Sequence, residues 1–291
     1  MTRSGTRVHA FADSARFARD LARTAGRGCV PVRVHRFPDG ESLVRVATPP
    51  GADAILVRAL HDPNAKLVEV LLAGDALRRA GARRVTLVAP YLPYMRQDAV
   101  FRPGEPVSQR AVGRLLGGAF DRVLTVEAHL HRIRRLSEAV HAGGESISAA
   151  PAVAAWARTT GADLVVGPDV ESAPFVRAVA RAAGLPGVVG RKDRLGDARV
   201  RLRLPALAAR HAVILDDIAA SGGTLAATAL ALRRAGVRRI DALVVHAIFA
   251  RGATARIRAA GVRRIVSCDT IPHPTNGVRV APLVAAVLGG R

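Results

Sequence analysis

The feature that most narrows what this chain can fold into is a unit that occurs twice. ALRRAGARRVTLVAP runs from Ala76 to Pro90, and ALRRAGVRRIDALVV runs from Ala231 to Val245. Each reads as a helix end, a glycine stop, an arginine pair and a short apolar run of buried-strand type. A weaker echo, RIRAAGVRRIVSC, begins at Arg256. Strands alternating with helices imply mainly parallel sheets covered on both faces. Two copies about half a chain apart, in 291 residues, predict two modest α/β domains of similar construction. The small, turn-prone GGESISAAP segment, with a boundary near Ser146 to Ala150, divides the chain into 1–148 and 149–291.

Composition excludes several classes. Hydrophobic residues make up 49% of the chain, which argues for a packed globule rather than disorder. Two cysteines, Cys29 and Cys268, provide no disulfide framework, so a reducing cytoplasm is the expected compartment. The N-terminal stretch has no apolar signal-peptide core, and no run approaches membrane-spanning length. The formal charge is +21, yet only Lys66 and Lys192 of the 44 basic residues are lysine. The arginines are dispersed and only 3% of residues are aromatic, so no basic-aromatic platform for nucleic acid is visible. A basic surface also suits phosphorylated metabolites.

The chemistry concentrates in Val213–Thr224, VILDDIAASGGT. Val213 to Leu215 read as a buried strand that ends at Asp216 and Asp217. Ser221, Gly222, Gly223 and Thr224 form a turn, with Thr224 the expected N-cap of a helix over 225–235. Such a turn offers backbone N–H groups and a positive helix end to an anion. It is not a Walker A loop, because no Gly-Lys-Ser/Thr follows the glycines. An acidic pair does not bind phosphate; it suits sugar hydroxyls, directly or through a metal. A 5-phosphorylated pentose satisfies both halves of the stretch.

DDIAASGGT resembles the ribose-5-phosphate loop of the phosphoribosyltransferase fold, in the version found in ribose-phosphate pyrophosphokinases. Further segments resemble that family in order along residues 8 to 288. HRFPDGE implies ATP contacts from Phe37, Asp39 and Glu41, reaching a neighbouring subunit and therefore a homo-oligomer of at least two chains. RQD implies ATP contacts from Arg96, Gln97 and Asp98; Arg102 is a second basic candidate beside them. EAH, where the family has Asp-(Leu or Pro)-His, implies His129 near Mg²⁺ and the ATP phosphates. GPD implies Asp169 as a Mg²⁺ ligand. The Lys192 and Arg194 segment resembles the family's mobile catalytic loop. Asp216, Asp217, Ala220, Ser221, Gly222, Gly223 and Thr224 complete the implied ribose-5-phosphate site.

The resemblance implies two tandem phosphoribosyltransferase-type domains, each a mainly parallel sheet flanked by helices. The implied reaction passes the β,γ-diphosphoryl group of ATP to ribose 5-phosphate, giving AMP and phosphoribosyl pyrophosphate. Two departures stand out. Ala220 replaces a third acid present in many members but absent from a branch with DDIxSTGGT loops, which this chain resembles more. Glu127-Ala128 precedes the histidine and motivates an alternative, a non-catalytic regulatory relative. A phosphoribosyltransferase that consumes the product is the other alternative, though it has no need of RFPDGE or RQD.

Overall fold

The computed structural model describes residues 5–141, 143–194, 200–203 and 209–289. By contacts the chain divides into two compact units. The first comprises Met1–Ile147, Thr270–Pro272 and Ala281–Arg291; the second comprises Ser148–Asp269 and His273–Val280. This differs from a single cut at 148/149, because the C-terminal helix joins the first unit.

In chain order the first unit has β1 (Arg7–Ala10), α1 (Ala15–Thr24), β2 (Gly28–Pro31), β3 (Arg33–Arg36) and β4 (Ser42–Arg45). There follow β5 (Asp53–Val57), α2 (Pro63–Arg79), β6 (Arg84–Val88), α3 (Ser108–Ala119), β7 (Arg122–Val126) and β8 (Gly144–Ile147). Six strands form one sheet in the order β2-β1-β5-β6-β7-β8, every pair parallel. β3 and β4 stand apart as an antiparallel hairpin. The strand cores read as continuous apolar runs because helices cover the sheet, and Ala54 to Val57 and Val85 to Val88 are buried apart from Thr86.

The second unit has α4 (Ala150–Thr160), β9 (Leu164–Gly167), α5 (Ala173–Ala183), β10 (Gly187–Val189), β11 (Arg191–Arg194), β12 (Val200–Arg203) and β13 (His211–Ala219). Then come α6 (Gly223–Arg234), β14 (Arg239–Ala247), α7 (Ala253–Ala259), β15 (Arg264–Cys268) and β16 (Asn276–Val278). Its parallel sheet runs β10-β9-β13-β14-β15-β16, beside the antiparallel hairpin β11-β12. The closing helix α8 (Ala281–Gly289) packs on α1 in the first unit.

Both units therefore share one topology. The chain steps outward from the first strand to the second, then crosses to the first strand's other side. In such sheets the crevice at the crossover, beyond the carboxyl ends of the strands, is where ligands sit. It lies between β1 and β5 in one unit and between β9 and β13 in the other. The two repeated segments occupy matching places: α2 into β6, and α6 into β14. Gly81 and Gly236, at φ of 104° and 88°, end those helices as the sequence implies.

Candidate functional site

In the second unit the acidic pair lies within β13, not at its end. The strand continues through Asp216 and Asp217 to Ala219, since Asp216 and Ile218 keep their register with Val244 and His246 of β14. The loop after it is held from behind. Ile248 N donates to Ala219 O at 3.1 Å, Ala250 N to Ala220 O at 3.0 Å, and Arg256 Nη1 to Ser221 O at 3.2 Å.

The helix α6 starts earlier than the sequence suggests. Its N-cap is Gly222, at φ 73°, and Thr224 is the second helical residue. Left-handed backbone excludes a threonine cap there and favours glycine. Space demands it as well: a Cβ on Gly222 would lie 2.9 Å from both the Ala253 carbonyl oxygen and Ile257 Cγ1. The first-turn amides of α6, which lack intrahelical acceptors, follow directly. Ser221 Oγ also caps Gly223 N at 3.4 Å.

Asp169 follows β9, the strand paired with β13 through Val166 and Ile214. Its Oδ1 accepts from Glu171 N at 3.2 Å and Ser172 N at 3.3 Å, closing the turn into α5. Its charge also reaches Asp216. Burial, the Asp217 carboxylate and the Asp169 carboxylate together push the Asp216 carboxyl well above the usual range. Strand pairing thus gathers three acids at the crossover crevice. Among the described residues, no group of three or more His, Cys, Asp or Glu side chains is placed to hold a metal ion by itself. The acids do fit Mg²⁺ bound by one or two carboxylates together with substrate oxygens and water, as Mg²⁺ prefers. A cation beside Asp216 would relieve the repulsion that raises its pKa.

Lys192 and Arg194 lie on β11 of a hairpin, where Lys192 pairs with Leu202 and Arg194 with Val200. Their side chains lie outside the described residues.

In the first unit, Phe37, Asp39 and Glu41 occupy the tip of the β3–β4 hairpin. All three are exposed, Phe37 at 40%, and the Phe37 ring meets His35 edge-on at 4.8 Å. Asp39 Oδ1 accepts from Glu41 N at 3.0 Å, so one of its oxygens shapes the turn. Arg96 is exposed on the segment after β6, which is anchored by the buried Leu92 and Met95. The Gln97 side-chain carbonyl accepts from Ser108 Oγ, which leaves its amide N–H groups to meet a ligand. The Asp98 side chain is only 5% exposed. Its Oδ1 accepts from Arg132 Nε at 3.3 Å, and Oδ2 is buried with no hydrogen-bond partner among the described residues.

That bond brings the Arg96–Asp98 segment beside the segment following β7. There Glu127 takes a left-handed φ of 40°, and the His129 ring lies tilted against His131 with centroids 3.6 Å apart. Arg102 sits in a turn, where Phe101 N and Arg102 N donate to Glu105 Oε2 at 3.2 and 3.0 Å. Sequence reasoning missed Arg132, Arg256 and the buried Glu69. For Glu69 a signal existed: an acid between Leu67 and Val70 on an apolar helix face.

No described helix is long and apolar enough to cross a membrane. Residues 6–119 match the family described as the N-terminal domain of ribose phosphate pyrophosphokinase, and residues 137–283 match the phosphoribosyl transferase domain. A ribose-phosphate pyrophosphokinase of Methanopyrus kandleri is 35% identical over 96% of this chain and 97% of its own. One of Thermococcus kodakarensis is 34% identical over 90% and 94%. The crystal structure of phosphoribosylpyrophosphate synthetase from Mycobacterium smegmatis superposes with a TM-score of 0.84 at 26% identity, covering 99% of this chain and all of that one.

Proposed function

Since the chain belongs to the ribose-phosphate pyrophosphokinase family, we propose that it transfers the β,γ-diphosphoryl group of ATP to the 1-hydroxyl of ribose 5-phosphate. The sugar oxygen attacks the β-phosphorus. The bond from that phosphorus to the oxygen bridging the α-phosphate breaks, AMP leaves, and the hydroxyl proton is lost to solvent. One observation carries the reading most: a glycine-capped helix start joined by a four-residue step to a half-buried acidic pair. The helix start suits the 5-phosphate, and the acids suit two sugar hydroxyls.

The roles follow from chemistry. Ala220 to Thr224 wrap the 5-phosphate, with backbone amides as donors. Asp216 and Asp217 accept from the ribose hydroxyls and fix the attacking oxygen. Asp169, with His129 on the ATP side, would attend Mg²⁺, which when bound supplies positive charge to the diphosphate oxygens. Lys192 and Arg194 neutralise charge that builds on the transferring group. Phe37 stacks on adenine, while Asp39 and Glu41 accept from its amino edge. Arg96 pairs with phosphate, Gln97 donates to the base and Asp98 orients this cluster. The active form is a homo-oligomer in which the hairpin serves a neighbouring subunit, and the compartment is the cytoplasm.

The test is product identity. ATP, Mg²⁺ and ribose 5-phosphate should yield AMP in one-to-one ratio with phosphoribosyl pyrophosphate. Formation of ADP instead would mean an ordinary kinase, and no turnover would favour a regulatory relative.

A further inference from the structure

The tip of the β3–β4 hairpin is exposed, but its neck is not left to itself. Arg36 and Ser42 form the last cross-strand pair before the Phe37–Glu41 loop. Both donate to one atom, Glu69 Oε1 of α2, each at 3.0 Å. The other oxygen, Oε2, accepts from Arg58 Nη1. The Glu69 side chain is 1% exposed.

Arg58 is itself fixed. Its side chain is 5% exposed and its guanidinium lies 4.0 Å over the Phe11 ring. Its Nε donates to Asp13 Oδ2 at 3.3 Å, and Lys66 Nζ lies 3.3 Å from that same oxygen. These groups fill the crossover crevice between β1 and β5. In the second unit the same crevice gathers three acids; here the chain's own cations and acids occupy it. The result is a post at the carboxyl ends of the interior strands β1 and β5.

We infer that Glu69 is a positioning residue: it clamps the neck of the Phe37–Glu41 loop to this post and so fixes where the loop presents its nucleotide contacts. The inference rests on the reading of that loop as an adenine contact.

Alternatives for Glu69 fit the geometry less well. Apolar packing of Val34, Val44 and Val46 against the core already holds the hairpin down, so retention alone needs no acid. Burying a carboxylate is costly unless several donors meet it. Burial pushes the Glu69 carboxyl up, but hydrogen bonds from Arg58 and Arg36 outweigh that and hold it below the usual carboxylate range. It is therefore ionised at neutral pH and can accept from β3, from β4 and from the segment after β5 at once. A lone two-stranded hairpin is marginal in water. Its loop has only the internal bonds Phe37 N to Glu41 O at 2.8 Å, Gly40 N to Phe37 O at 3.0 Å and the Asp39 turn contact. Fixing both residues of the closing pair is the direct way to narrow where the tip points.

The experiment compares Arg36→Met, Ser42→Ala, their double variant, Glu69→Gln and Phe37→Ala. Each is measured for kcat, for KM of ATP and of ribose 5-phosphate, and for melting temperature. Arg36 is 60% exposed and the first three changes leave the Arg58–Glu69 pair in place, so those variants stay folded even if Glu69→Gln does not. The single variants should raise KM for ATP about threefold and the double variant about tenfold, the size of one or two partly screened hydrogen bonds. KM for ribose 5-phosphate should hardly move; the melting temperature should fall modestly, most in the double variant, because Glu69 Oε1 loses its donors, while the protein stays folded at the assay temperature. If Phe37→Ala raises KM for ATP but the neck variants do not, the clamp is refuted while the nucleotide reading of the loop survives. If Phe37→Ala leaves KM for ATP unchanged, the loop is not a nucleotide contact and both fall. Activity lost in step with folded protein, with both KM values constant, would make Glu69 a structural residue only.

Discussion

Replacing Asp216 with asparagine should make the ligand-free protein more stable and the enzyme worse. Asp216 lies in the central strand β13, half-buried, with Asp217 next to it and Asp169 across the β9–β13 pairing. Burial and those two carboxylates raise its pKa in the fold. The folded state therefore holds the proton more tightly than the unfolded chain does. Below the unfolded carboxylate range both states are protonated and nothing is lost. As pH rises from that range to the raised folded value, the unfolded chain ionises while the fold keeps the proton, so stability falls, and above the folded value the loss is constant.

Asparagine keeps the Oδ1 acceptor that meets Asp217 N at 3.1 Å and carries no charge. A carboxylate about 5 Å from a like charge is repelled by roughly 3 kcal/mol at an effective dielectric of about 20. Solvent screening at a half-buried site reduces this to about 1–2 kcal/mol. For a unit of this size that corresponds to a melting temperature higher by roughly 3–6 °C. Melting curves from pH 4 to pH 8.5 test it. The two proteins should converge at the acid end, and the variant should gain towards pH 8. Mg²⁺ should raise the wild-type curve more than the variant's. A variant that melts lower than wild type at pH 8, or a difference independent of pH, would show that the charge supports the fold instead of straining it.

Asp217→Asn should weaken ribose 5-phosphate by about 1.5–3 kcal/mol, the value of a charged hydrogen bond, and leave ATP nearly alone; calorimetric titration of each substrate decides, and equal losses would point to a metal or structural role. Gly222→Ala should cost about 2–4 kcal/mol, from left-handed strain plus the clash with Ala253 and Ile257, and should weaken ribose 5-phosphate beyond what unfolding explains; denaturant titration beside KM separates the two effects. Lys192→Ala should lower kcat on the order of 10²–10³ with little change in KM, and Lys192→Arg should recover little, because a planar fork does not replace a compact ammonium; steady-state kinetics with near-normal kcat for the alanine variant would remove the residue from the mechanism.

Much of the architecture was legible because parallel strands covered on both faces must be apolar along their length, as Val213 to Leu215 and Leu243 to Val245 are. Glycines closing α2 and α6 marked the repeat for an equally local reason, the left-handed backbone. The Ser221–Thr224 turn was legible in composition but not in detail. Thr224 has the chemistry of a cap, yet Gly222 takes that place because the approach of Ala253 and Ile257 leaves no room for a Cβ. Nor could local propensity extend β13 through two aspartates, which disfavour strands; pairing with β14 carries them.

Other features belong to tertiary structure alone. Asp169 and Asp216 lie far apart in sequence, and their charges meet only because β9 pairs with β13. Asp98 and Arg132 meet because their segments follow the neighbouring strands β6 and β7. Glu69 has three partners, on β3, on β4 and just after β5, and they meet it only when the hairpin and the sheet come together. Backbone conformation and burial pattern are set within a few residues, so they can be read along the chain. The pairing of charges depends on which strands become neighbours, and that is decided only when the sheets assemble.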